Sequence, residues 1–247
     1  MSADDAAPKA SPPGDRNGAD AEIAAPTYAN HRQRLRRRFL DADPESFADY
    51  ELMELLLFFS IERIDVKPLA KRLLHDFSSL GAILAADEAQ LLAYERVNER
   101  TVALFKAIRE AARRLAREEI LHRPVISSWS RLIEYCRIGL ADEPVERFRV
   151  LYLNRKNMLI ADELQQRGTI DHTPVYPREV IKRALDLGAS ALIMVHNHPS
   201  GDPTPSQADI VMTREVRDAG ERLGISLYDH LVVGKQGTTS FKQMGLI

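Results

Sequence analysis

The chain has 247 residues, 45% hydrophobic and 28% charged, with a formal net charge of -2. That length allows one large or two smaller domains, and the charge balance gives no global electrostatic case for nucleic-acid binding. A single cysteine, Cys136, excludes an intramolecular disulfide framework and a cysteine-rich zinc site, and no apolar run approaches the roughly 18–20 residues of a membrane span.

Residues 1 to 28 are rich in Ala, Asp, Pro and Gly, with little to bury, which predicts a disordered tail. The tail has no apolar core segment and so is not a secretory signal; with the lone cysteine, this predicts a cytoplasmic protein. His31 to Leu40 reads as a basic helix start. Its arginines form either a solvated face or a phosphate-contacting patch, and the acidic Asp41, Asp43, Glu45 and Asp49 close behind favour the solvated face.

An all-α domain is expected over residues 29–118. Ser46 is placed as the cap of a helix carrying Tyr50, Leu52 and Leu55 to Phe58, and Pro68 opens the next. Short helices follow at Ser79–Leu84 and Asp87–Leu92. A long helix from Arg100 to Glu118 carries Val102, Leu104, Phe105, Ile108, Ala111 and Leu115 on one stripe. After a link at 119–125, the pattern changes to α/β over 125–247. Helix Trp129–Gly139 precedes strand Phe148–Leu153, a turn at 154–157 and strand Met158–Arg167, a hairpin. Helix Pro177–Leu187 closes at Gly188, strand Ala191–His196 follows, then helix 206–223 and strand Ile225–Val233. This order predicts a mixed sheet flanked by helices.

The run from His196 to Asp209 carries the chemistry. On a strand, His196 and His198 face the same way and Asn197 faces the other, with same-face neighbours roughly 6–7 Å apart. Two imidazoles can converge on one ion across that gap at Zn–N distances of about 2.0–2.1 Å. Ser206 reads as an N-cap with Asp209 at N3, and a helix starting there swings the Asp209 carboxylate over the strand end. The pair can be a capping box and a ligand support together. Three protein ligands and an open fourth position describe a catalytic Zn2+ site with His196, His198 and Asp209 as ligands. An HNH nuclease disperses its signature over a ββα motif, a metallo-β-lactamase needs an Asp-His pair after the second histidine, and a nucleobase deaminase needs Pro-Cys-x-x-Cys; none is present. His230, in an apolar strand beside Asp229, reads as a hydrogen-bonded structural histidine. His172 lies in a polar turn and is not assigned to the site.

His-x-His, then Asp, with Ser three before the Asp, resembles the metal signature of JAB/MPN (JAMM) domains. The fuller text, Val195–Asp202 with Tyr176–Val180 upstream and Asp229–Gly234 downstream, resembles the RadC branch. The resemblance implies a JAB/MPN mixed β-sheet domain behind a small helix-hairpin-helix-like domain, and zinc-dependent cleavage of a peptide or isopeptide amide in a peptide or protein substrate. It also implies a proton-handling glutamate five residues before a strand-ending glycine, which falls on Glu163 before Gly168. Glu179 is the rival, explained by its place in a helix first turn. Ser206 is placed to hydrogen-bond a tetrahedral oxyanion. The helix-hairpin-helix turn of such proteins is glycine-rich, whereas Arg96 to Thr101 here has no glycine and carries Glu99. That favours a structural or partner-docking role over phosphate contact. The alternative function is a DNA-associated accessory protein in which the JAB fold acts as a binding module; a catalytically silent scaffold has no need of Glu163, His196, His198, Ser206 and Asp209 together.

Overall fold

The computed structural model describes residues 27–121, 123–167 and 175–247. Most of the expected tail, together with Gly168 and His172, lies outside them, and the first helix already begins at Thr27. The helices come first: α1 (Thr27–Asp41), α2 (Asp49–Ser60), α3 (Lys67–Phe77), α4 (Leu80–Ala85), α5 (Glu88–Leu92) and α6 (Glu99–Leu121). Met53, Leu57, Leu73, Ile83, Leu91 and Phe105 meet in their core.

Ser46 does not cap α2. It closes a 3-10 turn started by Pro44, its hydroxyl donating to Asp43 O at 2.7 Å. The cap position falls on Ala48, whose N–H donates to Glu51 Oε2 at 3.3 Å. The glycine-free turn closes through Arg96, which adopts a left-handed φ of 74°. The Thr101 amide behind it donates to Asn98 Oδ1 at 3.1 Å, so the chain's own side chain occupies it. The long helix also departs from its expected stripe. Val102 and Phe105 pack in the helical core and Ile120 in the next one, but Ala111 and Leu115 between them are exposed. The middle of α6 docks through polar groups instead: Arg109 meets Glu143 at 2.5 Å, and Arg113 donates to the Tyr135 hydroxyl at 3.2 Å.

Past α7 (Trp129–Leu140) the chain forms a five-stranded mixed sheet in the order β2-β1-β3-β4-β5. The strands are β1 (Arg147–Leu153), β2 (Leu159–Arg167), β3 (Ala191–Asn197), β4 (Ser226–Gly234) and β5 (Gly237–Ser240). β1 and β2 form the expected hairpin, β1 pairs antiparallel with β3, and β3 runs parallel to β4. Helix α8 (Pro177–Asp186) precedes β3, and α9 (Gln207–Glu221) makes the parallel crossover from β3 to β4. Strand alternation assigns the faces. Ile193 and Val195 of β3 pack towards α7 with Leu132 and Leu151; Leu192 and Met194 pack towards α8 and α9 with Val180, Ile181 and Val216. His196 continues the second row, stacked on Phe148 with ring centroids 6.0 Å apart. The short β5, polar and four residues long, carries no apolar alternation that would announce it. Among the described residues no helix is long and apolar enough to cross a membrane.

Candidate metal centre

His196 is fully buried near the end of β3, and His198 lies just past it. The strand register holds His198 in place, its N–H donating to Val233 O at 3.0 Å. Its Nδ1 lies 2.9 Å from Asp202 O. A carbonyl only accepts, so a ring proton sits on Nδ1, and in the neutral ring Nε2 presents a lone pair. Asp202 is fixed in turn by Thr204, whose N–H and hydroxyl donate to Oδ1 at 2.9 and 2.7 Å.

Asp209 arrives from the first turn of α9. Ser206 caps that helix, with the Asp209 N–H donating to Ser206 Oγ at 3.2 Å, while the Ser206 N–H and hydroxyl donate back to Asp209 Oδ2 at 2.7 and 2.6 Å. The capping box therefore aims the carboxylate at the strand end. His196 Nε2 lies 3.3 Å from Asp209 Oδ1, His198 Nε2 lies 3.5 Å from Oδ2, and the two Nε2 atoms are 3.0 Å apart. A tetrahedral zinc shell with bonds of about 2.0–2.1 Å places its ligand atoms roughly 3.3 Å from one another. Among the described residues these three form a group of His, Cys, Asp or Glu able to hold a metal ion. The donor set and its spacing fit zinc.

The electrostatics couple these groups to one another. Burial pushes the Asp209 carboxyl up, but the ring nitrogens of His196 and His198 and the Ser206 hydroxyl outweigh it and hold the group ionised, far below the usual carboxylate range. The facing Asp209 raises the His198 pKa against burial, with help from the Asp202 carbonyl and the charge of Glu146. Burial drives His230, behind His196, well below the ordinary histidine value, so that ring is neutral.

Glu163 is not brought to this cluster. It sits on β2 opposite Val150, in the row of Met194 rather than of His196. Arg183 of α8 grips its carboxylate with both guanidinium arms at 2.5–3.0 Å, which lowers its pKa. Glu179 lies in the first turn of α8 beside Arg178.

The carboxylate that sequence reasoning missed is Glu146. Phe148 of β1 pairs with His196 in an antiparallel register, and continuing that register two residues sets Glu146 across from His198. Asn197 anchors this segment from the other face of β3. Its Oδ1 accepts from the Arg147 N–H at 2.9 Å, and its Nδ2 donates to Val145 O and Glu143 O at 3.1 and 3.3 Å. A signal for Glu146 existed only in the strand pairing.

A His-x-His strand and an aspartate from the following helix, on a mixed sheet flanked by helices, are features of a JAB domain, and residues 126–246 match the family described as RadC-like JAB domain. The chain belongs to that family. It is 59% identical over 213 residues to a UPF0758 protein of Rhodobacter capsulatus, an alignment covering 86% of this chain and 100% of the relative. It is 52% identical over 223 residues to a UPF0758 protein of Ruegeria pomeroyi, covering 90% and 100%.

Proposed function

We propose that this protein is a zinc-dependent hydrolase cleaving a peptide or isopeptide amide, with His196, His198 and Asp209 as ligands. One observation carries the reading: two imidazole Nε2 atoms and an ionised carboxylate converge within 3.0–3.5 Å of one another, the separations of ligand atoms around a tetrahedral zinc ion. When bound, zinc supplies Lewis acidity and makes hydroxide accessible near neutral pH. Glu146, opposite His198, takes the proton from the attacking water and passes it to the leaving amine. Glu163, bound by Arg183 as a depressed carboxylate, is the poorer base of the two. Ser206 orients Asp209, and its hydroxyl is a donor beside the cluster that can turn towards a developing oxyanion.

The DNA-binding alternative draws on the basic run of α1. Several of those arginines serve the protein itself: Arg32 donates to Ile64 O at 2.7 Å, Arg37 pairs with Asp41 at 2.6 Å and Arg38 with Glu51 at 2.5 Å. The hydrolase reading is therefore preferred. Its test is elemental analysis together with hydrolysis of an amide-linked peptide library. Wild type is expected to carry one equivalent of zinc and to cleave; Glu146→Gln keeps the zinc and loses cleavage, while Glu163→Gln retains both. A metal-free wild type, or full activity in Glu146→Gln, overturns the assignment.

A further inference from the structure

The protons around His196 can be assigned from the acceptors alone, because the neighbourhood is closed to water. His196, Thr213 and His230 are all fully buried. His230 stacks on Phe241 with centroids 4.5 Å apart, and Phe148 lies edge-on at 5.7 Å. The chain of contacts starts at Asp209 O, a backbone carbonyl with no proton to give. Thr213, one turn further along α9, has its Oγ1 2.5 Å from that oxygen, so the hydroxyl proton points there. Only lone pairs then remain on Thr213 Oγ1 for His230 Nδ1, 2.6 Å away, and the proton in that contact belongs to Nδ1. A neutral imidazole has one ring proton, so His230 Nε2 is an acceptor. The 2.8 Å contact between His230 Nε2 and His196 Nδ1 therefore needs its proton on His196 Nδ1. His196 Nε2 is left bare, facing His198 and Asp209.

We propose that Thr213 and His230 are positioning residues that keep the His196 ring proton on Nδ1 and so present Nε2 to the metal. The inference rests on the metal-site reading above. The relay has a specific task, because a metal-free site on its own favours the opposite tautomer. With its proton on Nε2, His196 would donate to Asp209 Oδ1, 3.3 Å away, and a metal would first have to displace that proton. The same helical turn thus supplies a ligand, Asp209, and the hydroxyl that keeps another ligand's ring correctly protonated.

The test uses Thr213→Val and Thr213→Ser in the full chain. Thr213→Val keeps the side-chain shape but removes the acceptor for His230 Nδ1–H, which lets the proton order reverse. Zinc affinity, read by competition with a chromophoric chelator, is expected to fall about 10- to 100-fold in Thr213→Val and to stay near wild type in Thr213→Ser. Imidazole 15N shifts of the metal-free protein should show His196 protonated at Nδ1 in wild type and substantially at Nε2 in Thr213→Val. Wild-type zinc affinity in a folded Thr213→Val, or an unchanged His196 tautomer, overturns the proposal. Should Thr213→Val fail to fold, the wild-type tautomer alone decides, since a proton on Nε2 there refutes the relay. A wild type without zinc affinity overturns the metal-site reading instead, and the tautomer measurement still decides the relay.

Discussion

Gly234 is where the sheet presses closely on the loop that follows His198. It ends β4, and a Cβ added there would lie 2.2 Å from Gly201 O, 2.7 Å from Gly201 C and 3.1 Å from Pro203 N. All three are backbone atoms, so no side chain can rotate aside. Restoring ordinary contact distances of 3.4 Å or more requires strand and loop to part by about 1 Å. The displaced segment carries Gly201, whose N–H donates to His198 O at 2.9 Å, and Asp202, whose carbonyl fixes the His198 ring. On the strand side, Val233 O accepts from the His198 N–H. Gly234→Ala therefore pulls the two supports of one ligand in different directions. Overpacking of this kind costs about 1–3 kcal/mol. Ligand distances tolerate only about 0.2 Å, so a shift of about 1 Å should also weaken zinc binding by about 10- to 100-fold. Urea unfolding of the metal-free protein measures the first effect and chelator competition the second. Gly224→Ala is the control: Gly224 has a φ of 73° with nothing within 4 Å, so alanine there costs about 1–2 kcal/mol of backbone strain and leaves zinc affinity unchanged. Wild-type zinc affinity in Gly234→Ala refutes the claim that this contact positions His198.

Asn197→Ala removes the three hydrogen bonds that pin residues 143–147 to β3. A loss of about 1–3 kcal/mol is expected in urea unfolding, with zinc retained and peptide hydrolysis reduced; undiminished hydrolysis would separate Glu146 from the reaction. Phe105→Ala empties a fully buried site in the helical core and should cost about 3–5 kcal/mol in the same assay, and a cost under about 1 kcal/mol would contradict that packing. In Arg183→Gln, the Glu163 carboxyl should return towards its ordinary value near 4.5. Because the folded pKa is the depressed one, the stabilisation is fully present above that ordinary value and is lost as pH falls through the lower folded value. The stability gap between wild type and Arg183→Gln should accordingly close on acidification below pH 4.5; a gap that persists or widens in acid contradicts the ion pair.

The central elements were legible from local pattern, β3 as a short continuous apolar run and the helices by their periodicity. β3 alternates rows towards α7 and α9, and the hairpin of β1 and β2 announces itself by its Asn-bearing turn. Residues close in sequence were equally readable: His196, His198 and Asp209 converge because one strand end, one stiff loop and one capped helix turn carry all three. Ala111 and Leu115 show where periodicity misleads. They continue the apolar stripe of α6, but that part of the helix spans the gap between two cores, and polar contacts from Arg109 and Arg113 dock it.

The position of the proposed base is a question of register rather than spacing. Counting back from Gly168 along the chain selects Glu163, a carboxylate in the middle of β2. Pairing across the sheet selects Glu146, because the antiparallel register that stacks Phe148 on His196 also carries residue 146 to His198. A slip of two residues along a strand moves a side chain by roughly 6–7 Å without changing its face. Glu163 shows the consequence: it projects from the sheet towards Arg183 of α8, which captures it. Sequence alone does not state which strands are neighbours, and β1 meets β3 only across residues 154–190, which carry β2 and α8. The proposed ligands belong to one local segment, whereas the proposed proton carrier depends on a long-range pairing, and only the folded sheet brings the two together.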